Sequence, residues 1–222
     1  NKRCDNYGGP IQNRMRLLLA SIDAIRAAVG PYFPIAVKLN SSDLLEGGFA
    51  EDEALQVVAA LDQSSVDLID ISGGTYFPGA KSASDGSGHG PYFIQFAKRA
   101  RKLTSKPLML TGGFKTREQA DEAVTSGAVD IVGLARALVL EPSLPNYWMK
   151  NRLREPAFPR FAEAPEGGVT AWYTMRLTEI GADEEVPEFG DLMQAVRDYD
   201  ARDGARAEIW RSHFGNDTVA LK

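Results

Sequence analysis

Val132-Gly-Leu-Ala-Arg136 lies one strand-and-helix unit after Thr111-Gly-Gly-Phe-Lys-Thr116, and this pair of segments decides the fold. Each segment places small residues, and so accessible backbone amides, where a short apolar run ends. Amides at a strand end, beside the N-terminus of a helix, commonly bind phosphate groups. The pair therefore predicts a phosphate site formed by consecutive strand ends.

Outward from these segments, apolar runs of strand type alternate with stretches of helical periodicity. Strands are predicted at residues 34–39, 66–71, 107–110 and 129–132, and helices at 11–29, 51–61, 91–103 and 116–127, with a short helix from Ala135. Short, largely apolar strands that alternate with helices are typical of an α/β fold whose parallel sheet is buried on both faces. Further helical segments near 143–152, 169–180 and 188–213 form a tail.

Two of these helices carry clear boundary signals. In the first, apolar residues recur every three or four positions, which is typical of an amphipathic helix, and Gly30 ends it. The apolar positions are Met15, Leu18, Ile22, Ile25 and Val29. The helix after residue 115 begins at a capping box, with Thr116 as the cap and Gln119 three residues later.

Four strand-and-helix units match half of a (β/α)8 TIM barrel, which typically needs ~250 residues. The predicted domains are 1–140, the half-barrel, and 141–222, a helical C-terminal extension that packs on it. A four-stranded parallel sheet alone leaves two edges exposed, so we expect either a missing N-terminal half-barrel or a homo-oligomer partner. The chain starts at Asn1 rather than Met, and we expect it to be a fragment.

The residues predicted to bind phosphate belong to adjacent units. Gly112 and Gly113 directly follow a strand, so a ligand can approach their main chain, and the next helix is expected to present its amides just beyond. Arg136, with its guanidinium fork, suits a phosphate dianion. A Gly-Gly pair alone can be an ordinary turn, and a single arginine can be a solvated surface residue. Their occurrence together favours ligand binding.

Lys38 is a second candidate, because it lies inside the apolar run Ile35-Ala-Val-Lys-Leu39. A buried ammonium is costly unless an anion meets it, which suggests a site residue. The alternative is a strand-end lysine whose ammonium reaches water. Asp70 and Ser72 can point into the same cavity or form hydrogen bonds across the sheet, and both readings stay open.

Composition excludes several classes of function. The net charge of −5 comes with interspersed signs and no basic stripe, which argues against a nucleic-acid partner. No apolar stretch approaches the ~18 residues of a membrane span, and Cys4 has no second cysteine to pair with. A cytoplasmic location is expected. His89 and His213 lack neighbours at metal-ligand spacing, so no metal site is predicted, although the glycine-rich stretch around His89 has the length of a lid or ligand loop.

Five segments, in order, resemble the C-terminal half of the Old Yellow Enzyme-like NADH:flavin oxidoreductases, which are FMN-bearing (β/α)8 barrels. The first resembles the stretch after the family's fourth strand, and the others resemble strands five to eight. They are Asn1-x-Arg3-x-Asp5-x-Tyr7-Gly-Gly9 with Asn13-Arg14, Val37-Lys-Leu-Asn40, Ser72-Gly-Gly74, Thr111-Gly-Gly-Phe114 and Gly133-x-x-Arg136.

The resemblance implies a role for each candidate residue. Amides of Gly112, Gly113, Ala135 and Arg136 would hold the FMN phosphate, and Lys38 would lie beside the flavin N1/C2 carbonyl, where a cation stabilises the reduced ring. The family usually has glycine where Ala135 stands, but a backbone amide donates in either case. NADH or NADPH would be the reductant and an activated alkene the small-molecule acceptor. The family's substrate-anchoring His pair, or His and Asn, and its proton-donating Tyr would precede Asn1.

Two other functions are compatible with the same residues. A strand lysine beside a phosphate site suits a Schiff-base lyase or aldolase, in which Lys38 would form an imine with a sugar-phosphate carbonyl. The chain could also be a non-catalytic half-barrel that only binds phosphate or pairs with a partner chain.

Overall fold

The computed structural model describes residues 1–74, 90–159, 161, 164–165, 167–183 and 191–215. The chain divides into two compact units. The first comprises Asn1–Ala135 and Leu144–Glu155, and the second comprises Arg136–Ser143 and Pro156–Lys222.

Strands alternate with helices through the first unit, as the sequence predicts, and the described elements of the second unit are all helices. In chain order the described elements are α1 (Ile11–Arg14), α2 (Arg16–Val29), β1 (Ala36–Asn40), α3 (Glu51–Asp62), β2 (Leu68–Ser72), α4 (Ile94–Ala100) with a 3₁₀ turn (Arg101–Leu103), β3 (Leu108–Thr111), α5 (Arg117–Thr125), β4 (Ile131–Gly133), α6 (Arg136–Leu140), α7 (Leu144–Met149), α8 (Gly168–Gly181) and α9 (Leu192–Phe214). The four strands form one parallel sheet in the order β1-β2-β3-β4. The predicted α/β class with a parallel sheet is confirmed.

The predicted first helix is interrupted at Met15, which separates α1 from α2. Its amide still donates to the Ile11 carbonyl, so the chain continues in the same direction. Ile22 is buried, whereas Ile25 and Val29 on the same predicted stripe are exposed. The stripe therefore contacts the core along its first part only, although the helix ends at Gly30 as predicted.

The two faces of the sheet differ, and the prediction that both are buried is wrong for this chain. One face packs against the helices through Val37, Leu39, Ile69, Ile71, Leu108 and Leu110. The other carries the row Lys38, Asp70, Met109 and Ile131, which the strand register aligns. Ile131 is 43% exposed, so this second face is covered only in part. Apolar residues along a strand do not by themselves reveal which face a helix covers.

Helix α5 begins as predicted, at a capping box. The Thr116 hydroxyl accepts from the Gln119 amide at 3.3 Å, and the Gln119 side chain accepts from the Thr116 amide at 3.3 Å. The reciprocal bonds fix the start of the helix directly behind the Gly112–Gly113 turn.

Replacing Thr116 with alanine is expected to destabilise the chain by about 1 kcal/mol, because one helix amide loses its acceptor. Thr125→Ala, at the other end of α5, is the matched control. The Thr125 hydroxyl donates to carbonyls of its own helix, those of Asp121 and Glu122, and alanine has the higher helix propensity. Urea unfolding midpoints of the two variants measure the difference, and equal midpoints would contradict the capping role.

The second unit has its own apolar core. Val139 of α6, Trp172 and Tyr173 of α8, and Leu192 and Ala195 of α9 are buried together. Asp191 caps α9, since its side chain accepts from the Met193 amide at 2.9 Å. The predicted packing of this tail on the barrel stays a prediction. Among the helices of the described ranges, none is both long and apolar enough to cross a bilayer.

Candidate functional site

The carboxyl ends of β3 and β4 lie side by side. Thr111, the last residue of β3, is paired in register with Gly133, the last residue of β4. Neighbouring strands are about 4.8 Å apart, so the segments that follow them start at the same edge of the sheet. In parallel sheets this edge is where ligands bind. The two segments singled out in the sequence therefore leave the sheet next to each other.

The turn after β3 is made by Gly112 and Gly113, with φ values of +127° and +84°. Both values lie where residues with a Cβ are strained. The amides of these two glycines, and that of Ala135 after β4, make no hydrogen bond to any residue in the described ranges. Three backbone donors at adjacent strand ends are suited to an oxyanion.

The same turn is also packed by protein. The Tyr92 amide donates to the Gly112 carbonyl at 3.2 Å. A Cβ on Gly113 would lie 2.4 Å from the Gly90 carbonyl oxygen, and one on Gly112 would lie 3.2 Å from the Phe93 ring. Both glycines are half-buried. Packing alone therefore requires glycine here, so the donors, rather than the absence of a Cβ, point to a ligand.

The expectation that the next helix presents its amides to the ligand stays a prediction, and the structure shows that some donors at the start of that helix already have partners. The amides of Lys115 and Thr116 both donate to the Gln119 side-chain oxygen, at 2.9 and 3.3 Å. These two amides at the start of α5 were expected to be available to a phosphate, but they bond to the Gln119 side chain instead. An N-cap and a bound anion compete for the same amides. The capping box therefore reduces the number of backbone donors that the start of α5 can offer to an anion.

Lys38 is not buried, in contrast to the prediction from its apolar neighbours. Its side chain is 57% exposed, because it extends from the partly covered face of edge strand β1. The ammonium nevertheless meets an anion, since Nζ lies 3.1 Å from Oδ2 of Asp70. The exposure agrees with the alternative reading, a strand lysine whose ammonium reaches water, and the ion pair agrees with the expected anionic partner.

Asp70 is the residue whose importance sequence reasoning missed. Its other oxygen, Oδ1, accepts a hydrogen bond from the Thr111 hydroxyl at 2.9 Å. Asp70 thus forms hydrogen bonds across three strands, which was one of the two readings left open. The available signal was the register, because Asp70 stands opposite Lys38, but register cannot be read before the sheet is built.

Arg136 is the first residue of α6 and belongs to the second unit. Within that unit its guanidinium carbon lies 5.8 Å from the centroid of the Tyr173 ring, a cation–π distance. Burial raises the pKa of the Tyr173 hydroxyl, and the charge of Arg136 opposes this rise. The predicted phosphate contact of Arg136 stays a prediction.

The N-terminal motif residues bind one another. Arg3 forms an ion pair with Asp5, and its guanidinium carbon lies 5.3 Å from the Tyr7 ring centroid. The hydrogen bond from Arg3, followed by that from the Tyr7 amide, lowers the pKa of Asp5 to about 2. The side chain of Asn13 donates to the Gly8 carbonyl at 3.1 Å, which ties this segment to α1. In this chain the motif is a structural clasp.

A cavity of about 360 Å³ lies near the clasp. Its lining includes Ile11, Arg14, Leu39, Asp43 and Phe49. Leu39 belongs to the helix-covered face of β1, opposite to Lys38, so this cavity is separate from the strand-end site. The guanidinium of Arg14 forms an ion pair with Glu53.

The chain has two histidines, His89 and His213. His89 and its glycine-rich stretch lie outside the described residues. His213 is on α9, where its Nδ1 lies 2.9 Å from the Ile209 carbonyl oxygen. The described residues contain no group of three His, Cys, Asp or Glu side chains placed to hold a metal ion.

Comparison with known proteins gives this geometry a context. Residues 1–155 match the NADH:flavin oxidoreductase / NADH oxidase family, and the match ends at the last residue of the first compact unit. A relative is the NADH-dependent flavin oxidoreductase iliE of Hypocrea jecorina (strain QM6a). It is 38% identical over 160 residues, which are 68% of this chain and 40% of the relative.

Solved structures agree with the sequence match. A 2-naphthoyl-CoA reductase in complex with 2-naphthoyl-CoA is 29% identical with a TM-score of 0.64, over 68% of this chain and 23% of that protein. The Old Yellow Enzyme homologue of Zymomonas mobilis, 23% identical with a TM-score of 0.54, shares the fold over 75% of this chain and 46% of its own. The chain spans less than half of each of these proteins.

Proposed function

Because this chain belongs to the NADH:flavin oxidoreductase / NADH oxidase family, we propose that it forms the last four βα units of an FMN-dependent oxidoreductase, here called the parent protein. The parent protein transfers hydride from NADH or NADPH through the flavin to an activated alkene or a similar acceptor. The observation that carries this proposal is the pair of adjacent strand ends with three amide donors in the described part of the chain.

Family membership implies FMN as the prosthetic group, and the residues of the first unit fit it. A phosphate needs several donors at one place, and the amides of Gly112, Gly113 and Ala135 provide them. A flavin ring needs a cation near the atoms that become negative on reduction. Lys38 offers one on the same sheet, two strands from β3.

The roles of the residues follow from this fit. Backbone amides of Gly112, Gly113 and Ala135 would hold the phosphate. Lys38 presents its ammonium on the face of the sheet that the helices do not cover, where it would stabilise negative charge on a reduced flavin. FMN, when bound, supplies the acceptance and release of hydride.

Substrate chemistry is assigned to the other half of the parent protein. In this proposal the first four units supply the His pair, or His and Asn, that anchors the substrate. They also supply the Tyr that donates a proton. The described residues agree with this division, because Lys38 and Asp70 are the only ionisable side chains that they place on the uncovered face of the strands.

The parent protein is expected to purify yellow, with one FMN per chain, and the 222-residue chain alone is expected to bind FMN weakly or not at all and to show no turnover. In this proposal the chain supplies the phosphate contacts, whereas the first four units supply much of the surface that contacts the flavin ring. Titration of FMN against the chain, followed by flavin fluorescence, measures this. A colourless parent protein that takes up no FMN would refute the proposal. Strong stoichiometric quenching of flavin fluorescence by the chain alone would refute the expectation that FMN binding needs the first four units.

The Schiff-base alternative loses support from the environment of Lys38. Lysines that form imines are activated by desolvation or by a neighbouring cation. Lys38 is 57% exposed and its neighbour is a carboxylate. Borohydride treatment in the presence of a sugar phosphate is therefore expected to leave Lys38 unmodified in peptide mass spectra, and a trapped adduct on Lys38 would restore the alternative.

The third candidate is a half-barrel without catalysis. The match to oxidoreductases counts against it, because the family is defined by a redox activity. Flavin content of the parent protein separates the two, since a purely structural half-barrel would retain no FMN.

A further inference from the structure

Asp70 is the one charged residue of the described ranges that is buried, with 8% of its surface exposed. A buried carboxylate is costly unless its oxygens are satisfied. Both are satisfied here, Oδ2 by the Lys38 ammonium at 3.1 Å and Oδ1 by the Thr111 hydroxyl at 2.9 Å. Such a complete set of partners fixes the positions of all three side chains.

The partners of Asp70 connect the edge strand to the strand ends. Lys38 is on β1, Asp70 on β2 and Thr111 on β3, directly before the Gly112–Gly113 turn. Gly133 on β4 confines the Thr111 hydroxyl from the other side, since a Cβ there would lie 2.0 Å from Oγ1. The Asp70 carboxylate is therefore in contact both with the Lys38 ammonium and with Thr111, the last residue before the Gly112–Gly113 turn.

We propose that Asp70 is a positioning residue, which orients the Lys38 ammonium and the β3 end and offsets part of the Lys38 charge. This inference rests on the proposed function, because it assigns Asp70 an influence on the flavin that Lys38 would adjoin. Asp70 acts through Lys38 and is not itself placed against reacting atoms. A carboxylate beside the cation weakens the field that favours the reduced, anionic ring.

The effect on the flavin is testable in the parent protein. Asp70→Asn keeps the size of the side chain and an oxygen for Thr111 but removes the charge. The midpoint potential of the bound FMN is expected to shift upward, because the Lys38 charge is no longer offset. Asp70→Glu, which restores the charge, should bring the potential back toward that of the wild type.

Asp130→Asn is the matched control. Asp130 also accepts from a cation and from a strand, namely from Arg101 at 2.9 Å and from the Leu108 amide at 2.8 Å. It lies at the amino end of β3, the end opposite to the proposed site. This variant loses the same charge, and the potential is expected to stay unchanged.

The positioning of Lys38 is tested without flavin, in the 222-residue chain. With Asp70→Asn, acetylation of Lys38 relative to the exposed Lys98 should become about two- to fivefold faster, which corresponds to the strength of an exposed ion pair. Peptide mass spectrometry gives the ratio, and Asp130→Asn should leave it unchanged.

The outcomes separate the two hypotheses. A wild-type parent protein without FMN refutes the proposed function, while the acetylation ratio still decides whether Asp70 holds Lys38. An FMN-loaded wild type whose potential is equally unaffected by Asp70→Asn and Asp130→Asn overturns the inference. An unchanged acetylation ratio overturns it as well.

Discussion

Gly113→Ala is expected to remove most of the FMN from the parent protein, with a loss of affinity of at least about tenfold, or about 1.4 kcal/mol. The residue has a φ of +84°, where a Cβ costs about 1–2 kcal/mol. The new Cβ would also lie 2.4 Å from the Gly90 carbonyl oxygen and 3.0 Å from the Tyr92 amide nitrogen. Both are backbone atoms, so the turn itself must move, and the two glycine amides move with it.

The control for this variant is Gly127→Ala. Gly127 has a similar φ of +71°, but a Cβ there meets no atom of the described residues within 4 Å. The control shares the backbone strain and lacks the collision. Flavin released from each purified variant, measured by fluorescence, reports the retention of FMN. If both variants retain the same amount of FMN, the prediction is wrong, because displacement of the Gly112–Gly113 turn then does not affect FMN binding.

Leu110→Ala is expected to destabilise the 222-residue chain by about 2–5 kcal/mol, the largest effect predicted for its stability. Leu110 is fully buried in the middle of the sheet, on the face that packs against the helices. Removal of its side chain leaves a cavity that rigid strands on both sides cannot close. Urea unfolding with an unchanged m value measures the loss.

Ile131→Ala is the comparison variant, because Ile131 lies on the opposite face of the sheet and is 43% exposed. In the 222-residue chain its cost is expected to be about 1 kcal/mol. In the parent protein the first four units would cover this face, so the cost there should rise toward that of Leu110→Ala. Equal costs of the two substitutions in the 222-residue chain would contradict the assignment of covered and uncovered faces.

The order of elements could be predicted because local chemistry encodes it. The capping box of Thr116 and Gln119 and the glycine at position 30 mark helix ends through backbone hydrogen bonds and φ preferences within a few residues. The strands follow from short apolar runs. The interruption at Met15 escaped prediction, because the apolar spacing continues across it.

The candidate site could be predicted only in part. The glycines at 112 and 113 stand out in the sequence, and the structure adds that their amides have no partner in the described ranges. The contacts from Gly90, Tyr92 and Phe93 come from a segment some twenty residues earlier. No local pattern predicts such an approach, since it depends on how a loop returns to the sheet.

By itself the sequence determined the succession of strands and helices apart from the break at Met15, the helix boundaries at Gly30 and Thr116, and the family to which the chain belongs. Each of these depends on neighbouring residues or on ordered motifs. Only the tertiary structure decided which face of the sheet is covered, that Lys38 is exposed and that Asp70 joins it to Thr111. These contacts depend on the register between strands, and register is set by packing of the whole sheet rather than by the spacing of residues along one strand.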